Sequence, residues 1–174
     1  MIIMSTTSID TKNSILSSSF YLGKYYSPNR DAKSSSKRAD MSNDLLVSYD
    51  GKALKKFAKD ITKLSYNGEQ SNSADNLKSK INAFVSIYNN YTASAKKSSS
   101  EEVVARASKL HSLTKKQAEA LSDIGITINS DNTLKISEDL LDSVDEDDLK
   151  SLFSNSSSFM KQFKKLTSKL DISV

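Results

Sequence analysis

The sequence predicts a mainly α protein of the α+β class: an antiparallel helical bundle or coiled coil carrying one small β-hairpin. Two heptad-spaced apolar lines and one stretch of strict alternation carry that prediction. Leu77, Ile81, Phe84, Tyr88 and Tyr91 follow one another at steps of four, three, four and three, and Phe159, Phe163, Leu166 and Leu170 at four, three and four. That is the a/d spacing of a helix that packs along a seam. Between the two lines, Ile124, Ile126 and Ile128 alternate with polar or small residues, and Leu134 and Ile136 do so again after the polar turn Asn129-Ser130-Asp131-Asn132. Period two around a short Asn/Asp turn reads as a hairpin near 124–136 with one buried face.

Taken in order, residues 1–40 are expected to form a mostly irregular, basic, serine-rich arm. Patches such as Ser17–Ser19 and Ser34–Ser36 offer too little apolar surface to offset the entropy of ordering. Phe20, Tyr21, Tyr25 and Tyr26 are the exception, able to dock on the body or on a partner. The helical domain then spans 41–174. Leu46, Ala53, Leu54, Phe57, Ile61 and Leu64 predict a first helix within 44–65, ended by Asn67-Gly68. Gly51 inside it costs about 1 kcal/mol of helix propensity. Ser73 is positioned to cap a second helix along the seam from Leu77 to Tyr91. Ser99 with Glu102 fits a capping box for a third helix, running through Val103, Ala107 and Leu110 to Leu121. The short serine turn between the second and third helices implies an antiparallel pair. After the hairpin, Ser137 and Asp145 can cap two short helices, the second with Glu146, Asp147 and Asp148 at its positive end. Gly125 stands where a helix hands over to a strand, a place for positive φ or close backbone approach.

Several of these segments, in this order, resemble the C-terminal helical region of the flagellar filament-capping protein family (hook-associated protein 2). The resemblance rests on Ile81-Asn-Ala-Phe84-Val85-Ser-Ile-Tyr88-Asn89, Leu121-Ser-Asp-Ile-Gly-Ile126, Asp131-Asn-Thr-Leu134-Lys-Ile136, Leu140-Leu141 and Leu149-Lys-Ser-Leu-Phe153. It covers about residues 77–170 and lacks the family's β-rich outer domains, so the chain looks like a reduced form. The resemblance implies an extracellular structural protein of the bacterial flagellum, without enzymatic activity. Its implied partners are other axial proteins or further copies of itself, as a homo-oligomer held by coiled-coil contacts. In that reading the assembly seam is the two heptad lines, and Ile124, Gly125, Ile126, Leu134 and Ile136 form the hairpin. The alternative is a cytoplasmic helical adaptor, chaperone-like toward an export substrate.

Chemistry-bearing residues are sparse. The chain has no cysteine and one histidine, His111, which leaves no thiolate zinc site and no cysteine nucleophile. Its four glycines, Gly23, Gly51, Gly68 and Gly125, cannot build a P-loop or a dinucleotide fingerprint. Asp142–Asp148 is acidic but lacks the ligand pattern of an EF-hand. No catalytic, cofactor-binding or metal-binding residue is therefore expected. No apolar run approaches the ~20 residues of a membrane span. Lys24, Arg30, Lys33, Lys37 and Arg38 interleave with Tyr21, Tyr25 and Tyr26, a pattern that can hold single strands. Asp31 and Asp40 dilute it, and a solvated or protein-docking arm is preferred to a nucleic-acid site. Charge is divided: residues 1–120 hold 19 Lys/Arg against 11 Asp/Glu, and residues 121–174 hold 6 against 10. A front of +8 and a back of −4 can attract each other within one chain or between neighbours.

Overall fold

A computed structural model of the chain describes residues 16–63 and 73–170. Within them lie α1 (Ser18–Tyr26), a 3-10 helix (Arg30–Lys33), α2 (Ser35–Arg38), α3 (Asn43–Ile61), α4 (Ser73–Lys96), α5 (Glu101–Lys115) and α6 (Ala118–Asp123). The antiparallel strands β1 (Ile126–Ile128) and β2 (Leu134–Ile136) follow, then α7 (Glu138–Ser143), α8 (Glu146–Phe153) and α9 (Ser158–Thr167). The mainly helical class with one small two-stranded sheet is as the apolar periodicities predict. Leu64 and the Asn67-Gly68 stop lie outside the described residues.

The long helices pack side by side because each buries one stripe. Polar bonds give their directions: Asn43 to the Ser94 carbonyl (3.0 Å) and Lys80 to Asp60 (2.8 Å) run α3 antiparallel to α4. Tyr88 to Thr114 (3.1 Å) and Thr92 to His111 (3.2 Å) do the same for α4 and α5. Between α3, α4, α8 and α9 sits a cluster of five phenylalanines, with Phe159 against Phe153 and Phe163. Phe57 stacks on Phe84 at 4.7 Å between centroids, and Phe163 meets Phe84 edge-on at 5.6 Å. Phe153 closes the cluster at 6.2 Å from Phe84. Such pairs add about 0.5–1.5 kcal/mol each beyond the area they bury.

Three expectations are corrected. Residues 18–38 are not irregular: Ser17 caps α1 through its hydroxyl, and Tyr21, Tyr25 and Tyr26 are buried on the bundle. The third helix does not run to Leu121. It stops at Lys115, turns over Lys116 and Gln117, and restarts as α6. Its cap is Ser100, not Ser99, with the Ser100 hydroxyl accepting from the Val103 amide at 3.4 Å. Ser137 and Asp145 do occupy N-cap positions, without a capping side-chain bond.

Gly51 has a packing reason to be glycine inside an unbroken α3. A Cβ there would fall 2.5 Å from the Leu170 carbonyl oxygen, so the chain after α9 lies directly on this residue. Gly125 takes φ +83, as the helix-to-strand handover predicts. Its carbonyl accepts from the Ser137 amide at 2.8 Å, closing the base of the hairpin.

Candidate interaction surface

The predicted assembly seam is interior. Leu77, Ile81, Phe84, Tyr88 and Tyr91 on α4, together with Phe159, Phe163 and Leu170, are all buried in one core, and Leu166 is half-buried. Sequence spacing left open whether these lines close within one chain or between chains; they close within one chain. Burial pushes the Tyr88 and Tyr91 hydroxyls up to about 12, so both stay protonated donors. In the hairpin, Ile124, Ile126 and Leu134 face the core and Ile136 is half-buried. Asn89 fixes the hairpin to the bundle: its side-chain amide donates to the Leu134 carbonyl (2.8 Å) and its oxygen accepts from the Leu134 amide (2.7 Å). A single side chain thereby satisfies both polar groups of one β2 residue.

Two polar networks lock α1 and α2 onto the bundle. The first centres on Asp50, whose side chain has no solvent exposure. Arg38 reaches it with two bonds (2.7 and 2.8 Å), and Tyr26 and Ser94 each donate a hydroxyl at 2.7 Å. Every strong acceptor direction of the carboxylate is used, which is what a buried charge requires. The second centres on Asp60, bonded by Lys24 (2.9 Å), Tyr25 (2.8 Å) and Lys80 (2.8 Å). Burial works against its charge, but the bonds from Lys80, Lys24 and Tyr25 win and hold the Asp60 carboxyl below its usual value. Burial, reinforced by the carboxylates they touch, pushes the Tyr25 and Tyr26 hydroxyls well up.

Over the Asp60 network, whose Lys24, Tyr25 and Asp60 form part of its lining, a groove of about 740 Å³ opens between α1, the 3-10 helix and α3. Its charged lining is Lys24, Arg30, Lys33, Lys56, Lys59 and Lys63 against the single carboxylate Asp60. Lys24 is held by Asp60, and Lys56 donates to the Ser27 carbonyl. Arg30, Lys33, Lys59 and Lys63 pair with no acid among the described residues. Phe20, half-exposed at 50%, lies in the same lining. The sequence reading found the cations of residues 24–38 but missed those of α3. Their signal was present: Lys52, Lys56, Lys59 and Lys63 recur at four, three and four, a helical stripe of one charge. Tyr21, Tyr25 and Tyr26, the rings on which a single-stranded nucleic acid would stack, are buried on the bundle, in keeping with the preference for a docking arm over a nucleic-acid site.

The opposite charge gathers on α7 and α8. Residues 138–153 hold seven carboxylates and one lysine, Lys150, which pairs with Glu146 (3.3 Å) and Asp147 (3.6 Å). Leu140 projects from this edge at 53% exposure. His111 is half-buried between α5 and α4, and burial, aided by Lys115, lowers its proton affinity. Among the described residues no group of three or more His, Asp or Glu is placed to hold a metal ion, and no helix is long and apolar enough to cross a membrane.

Comparison with known proteins adds no family: no family model, no curated protein and no solved structure matches the chain.

Proposed function

We propose that this chain is a non-enzymatic assembly protein of the flagellar axial kind, similar to the C-terminal region of the filament cap, and that it works through its surface rather than through exposed helical seams. The observation that carries the reading is the order of elements over 73–167. Helix, turn, helix, hairpin, short helices and terminal helix stand in the order that the resemblance implies, with Asn89 of the Tyr88-Asn89 pair clasping the hairpin. With Phe84, Tyr88 and Phe163 consumed by the chain's own core, contact with other molecules falls to its charged faces. In this reading the partners are other axial proteins or further copies of the chain.

A second reading has its own support. A fold that closes its own core and presents a basic groove also suits a cytoplasmic adaptor that holds an acidic segment of an export substrate. Location separates the two. An antibody against the chain is used on sheared surface filaments and on cytoplasm, from wild-type cells and from an export-deficient strain. Recovery with filaments that is lost when export is blocked supports the axial reading. Strictly cytoplasmic protein in both strains overturns it in favour of the adaptor.

A further inference from the structure

We propose that the basic groove receives the acidic α7–α8 edge of a second copy of this chain, giving a head-to-tail contact. This rests on the assembly reading for its purpose, but on the two surfaces for its chemistry.

The surfaces match in two independent respects. The first is charge. The groove offers Arg30, Lys33, Lys59 and Lys63 with no acid of their own, and the edge offers seven carboxylates against Lys150. Opposed fields of this kind steer encounter and fix register more than they add affinity. The second is apolar. Among the described residues the exposed large hydrophobics are Phe20, Leu45, Val104 and Leu140. Phe20 lies in the basic groove, and Leu140 is carried by the acidic edge. Each charged surface thus carries one exposed apolar side chain, and an apolar centre with a polar rim is the plan of a small interface. α7 has six residues, so about 9 Å of helix must be seated in the groove.

Within one copy the two surfaces do not neutralise each other. Lys24 pairs with Asp60 in the groove, and Lys150 pairs with Glu146 and Asp147 on the edge. The contact between copies is heterologous, because the groove and the edge are different surfaces. A heterologous contact whose rotation does not close yields an open chain of subunits.

The test is sedimentation of the purified full chain across concentration and salt. The proposal expects the average mass to rise with concentration at low ionic strength. It expects the association constant to fall about tenfold or more as salt is raised past the range where exposed charges are screened. Lys59→Glu/Lys63→Glu cuts the groove's formal charge from +5 to +1, and Asp142→Lys/Asp148→Lys cuts that of the edge from −6 to −2. All four side chains are exposed, so both variants should keep the wild-type circular dichroism and melting behaviour. Each variant alone should associate far more weakly than wild type, and an equimolar mixture should associate again, since the intact groove of one variant then meets the intact edge of the other. That rescue excludes simple misfolding as the cause of the loss.

Wild-type protein that stays monomeric at low salt overturns the proposal. So does association that either double variant leaves intact. Failure to associate combined with groove-dependent binding of a single-stranded oligonucleotide or of poly-glutamate also overturns it, and identifies a different anion as the occupant. These outcomes are separable from those of the location experiment. A filament protein that does not self-associate keeps the axial reading and loses this contact; a cytoplasmic protein that does self-associate keeps the contact and loses the axial reading.

Discussion

Replacing Arg38 with methionine should unfold the protein at markedly lower denaturant, because it strands a charge in the core. Asp50 is fully buried, and among the described residues Arg38 alone brings it a full positive charge, through bonds of 2.7 and 2.8 Å. Methionine fills much of the same volume but leaves the carboxylate with two neutral hydroxyl donors, Tyr26 and Ser94. Arg38 also donates to the Ala32 carbonyl at 2.7 Å, and that acceptor loses its partner too. Removing one member of a buried pair costs about 3–5 kcal/mol, against a total stability of about 5–15 kcal/mol for a domain. Urea unfolding followed by circular dichroism reads this directly, with the slope held constant. In Arg38→Met/Asp50→Asn the uncompensated charge is gone and the amide can still meet Tyr26 and Ser94. That double variant should be less destabilised than the sum of the single variants by about 0.5–3 kcal/mol, the range for directly coupled residues. A loss below about 1 kcal/mol for Arg38→Met would refute the reasoning, because that is the value of an exposed pair and would mean α2 is not seated on α3.

Four other outcomes follow from the packing. Gly125→Val should lower stability by several kcal/mol: φ is +83, and the new Cβ would meet the Leu140 Cβ at 2.9 Å. Thermal unfolding no different from wild type would remove the hairpin junction from the account. Gly51→Ala should cost about 1–3 kcal/mol despite alanine's better helix propensity, because its Cβ meets backbone at Leu170; a stabilised variant would show that the C-terminal end does not pack there. Phe84→Ala, at the centre of the phenylalanine cluster, should cost about 3–5 kcal/mol in the same urea assay. The Asp60 carboxyl is held below its free value of 3.8, so its contribution is complete above that pH and disappears as pH falls through the lower folded value. Acid titration of Asp60→Asn should therefore show a shallower loss of stability below about pH 4 than wild type, the unfolded carboxyl's titration range; identical slopes would remove Asp60 from the acid response.

Much of this fold is legible in the sequence where apolar spacing is the determinant. The α4 line from Leu77 to Tyr91 and the hairpin at Ile126 and Leu134 are strong periodic signals because each buries one face. The break after Lys115 is not legible, since Lys116 and Gln117 are good helix residues and nothing in their type ends a helix. The docking of residues 18–38 is hidden for a different reason. Its apolar content is a few tyrosines, and what holds it is a set of polar bonds to Asp50 and Asp60 made by residues distant in sequence. Hydrophobic pattern cannot report a buried ion pair. The same blindness conceals the groove. The α3 lysines and the arm's Arg30 and Lys33 converge only once α1 lies against α3. Heptad spacing, in turn, cannot distinguish a seam that waits for a partner from one that is core, and here Phe84 and Phe163 meet inside one chain.

The groove, the polar networks and the proposed contact all depend on α1 being part of the folded body. Hydrogen exchange of the full chain at low concentration tests that claim most directly. The account predicts that amides of Tyr25 and Tyr26 exchange about a hundredfold or more slower than in an unstructured peptide, in the same class as those of Phe57 on α3. Exchange of Tyr25 and Tyr26 at the unstructured rate, with Phe57 still protected, would contradict it: the arm would be a tail, and the groove would not exist.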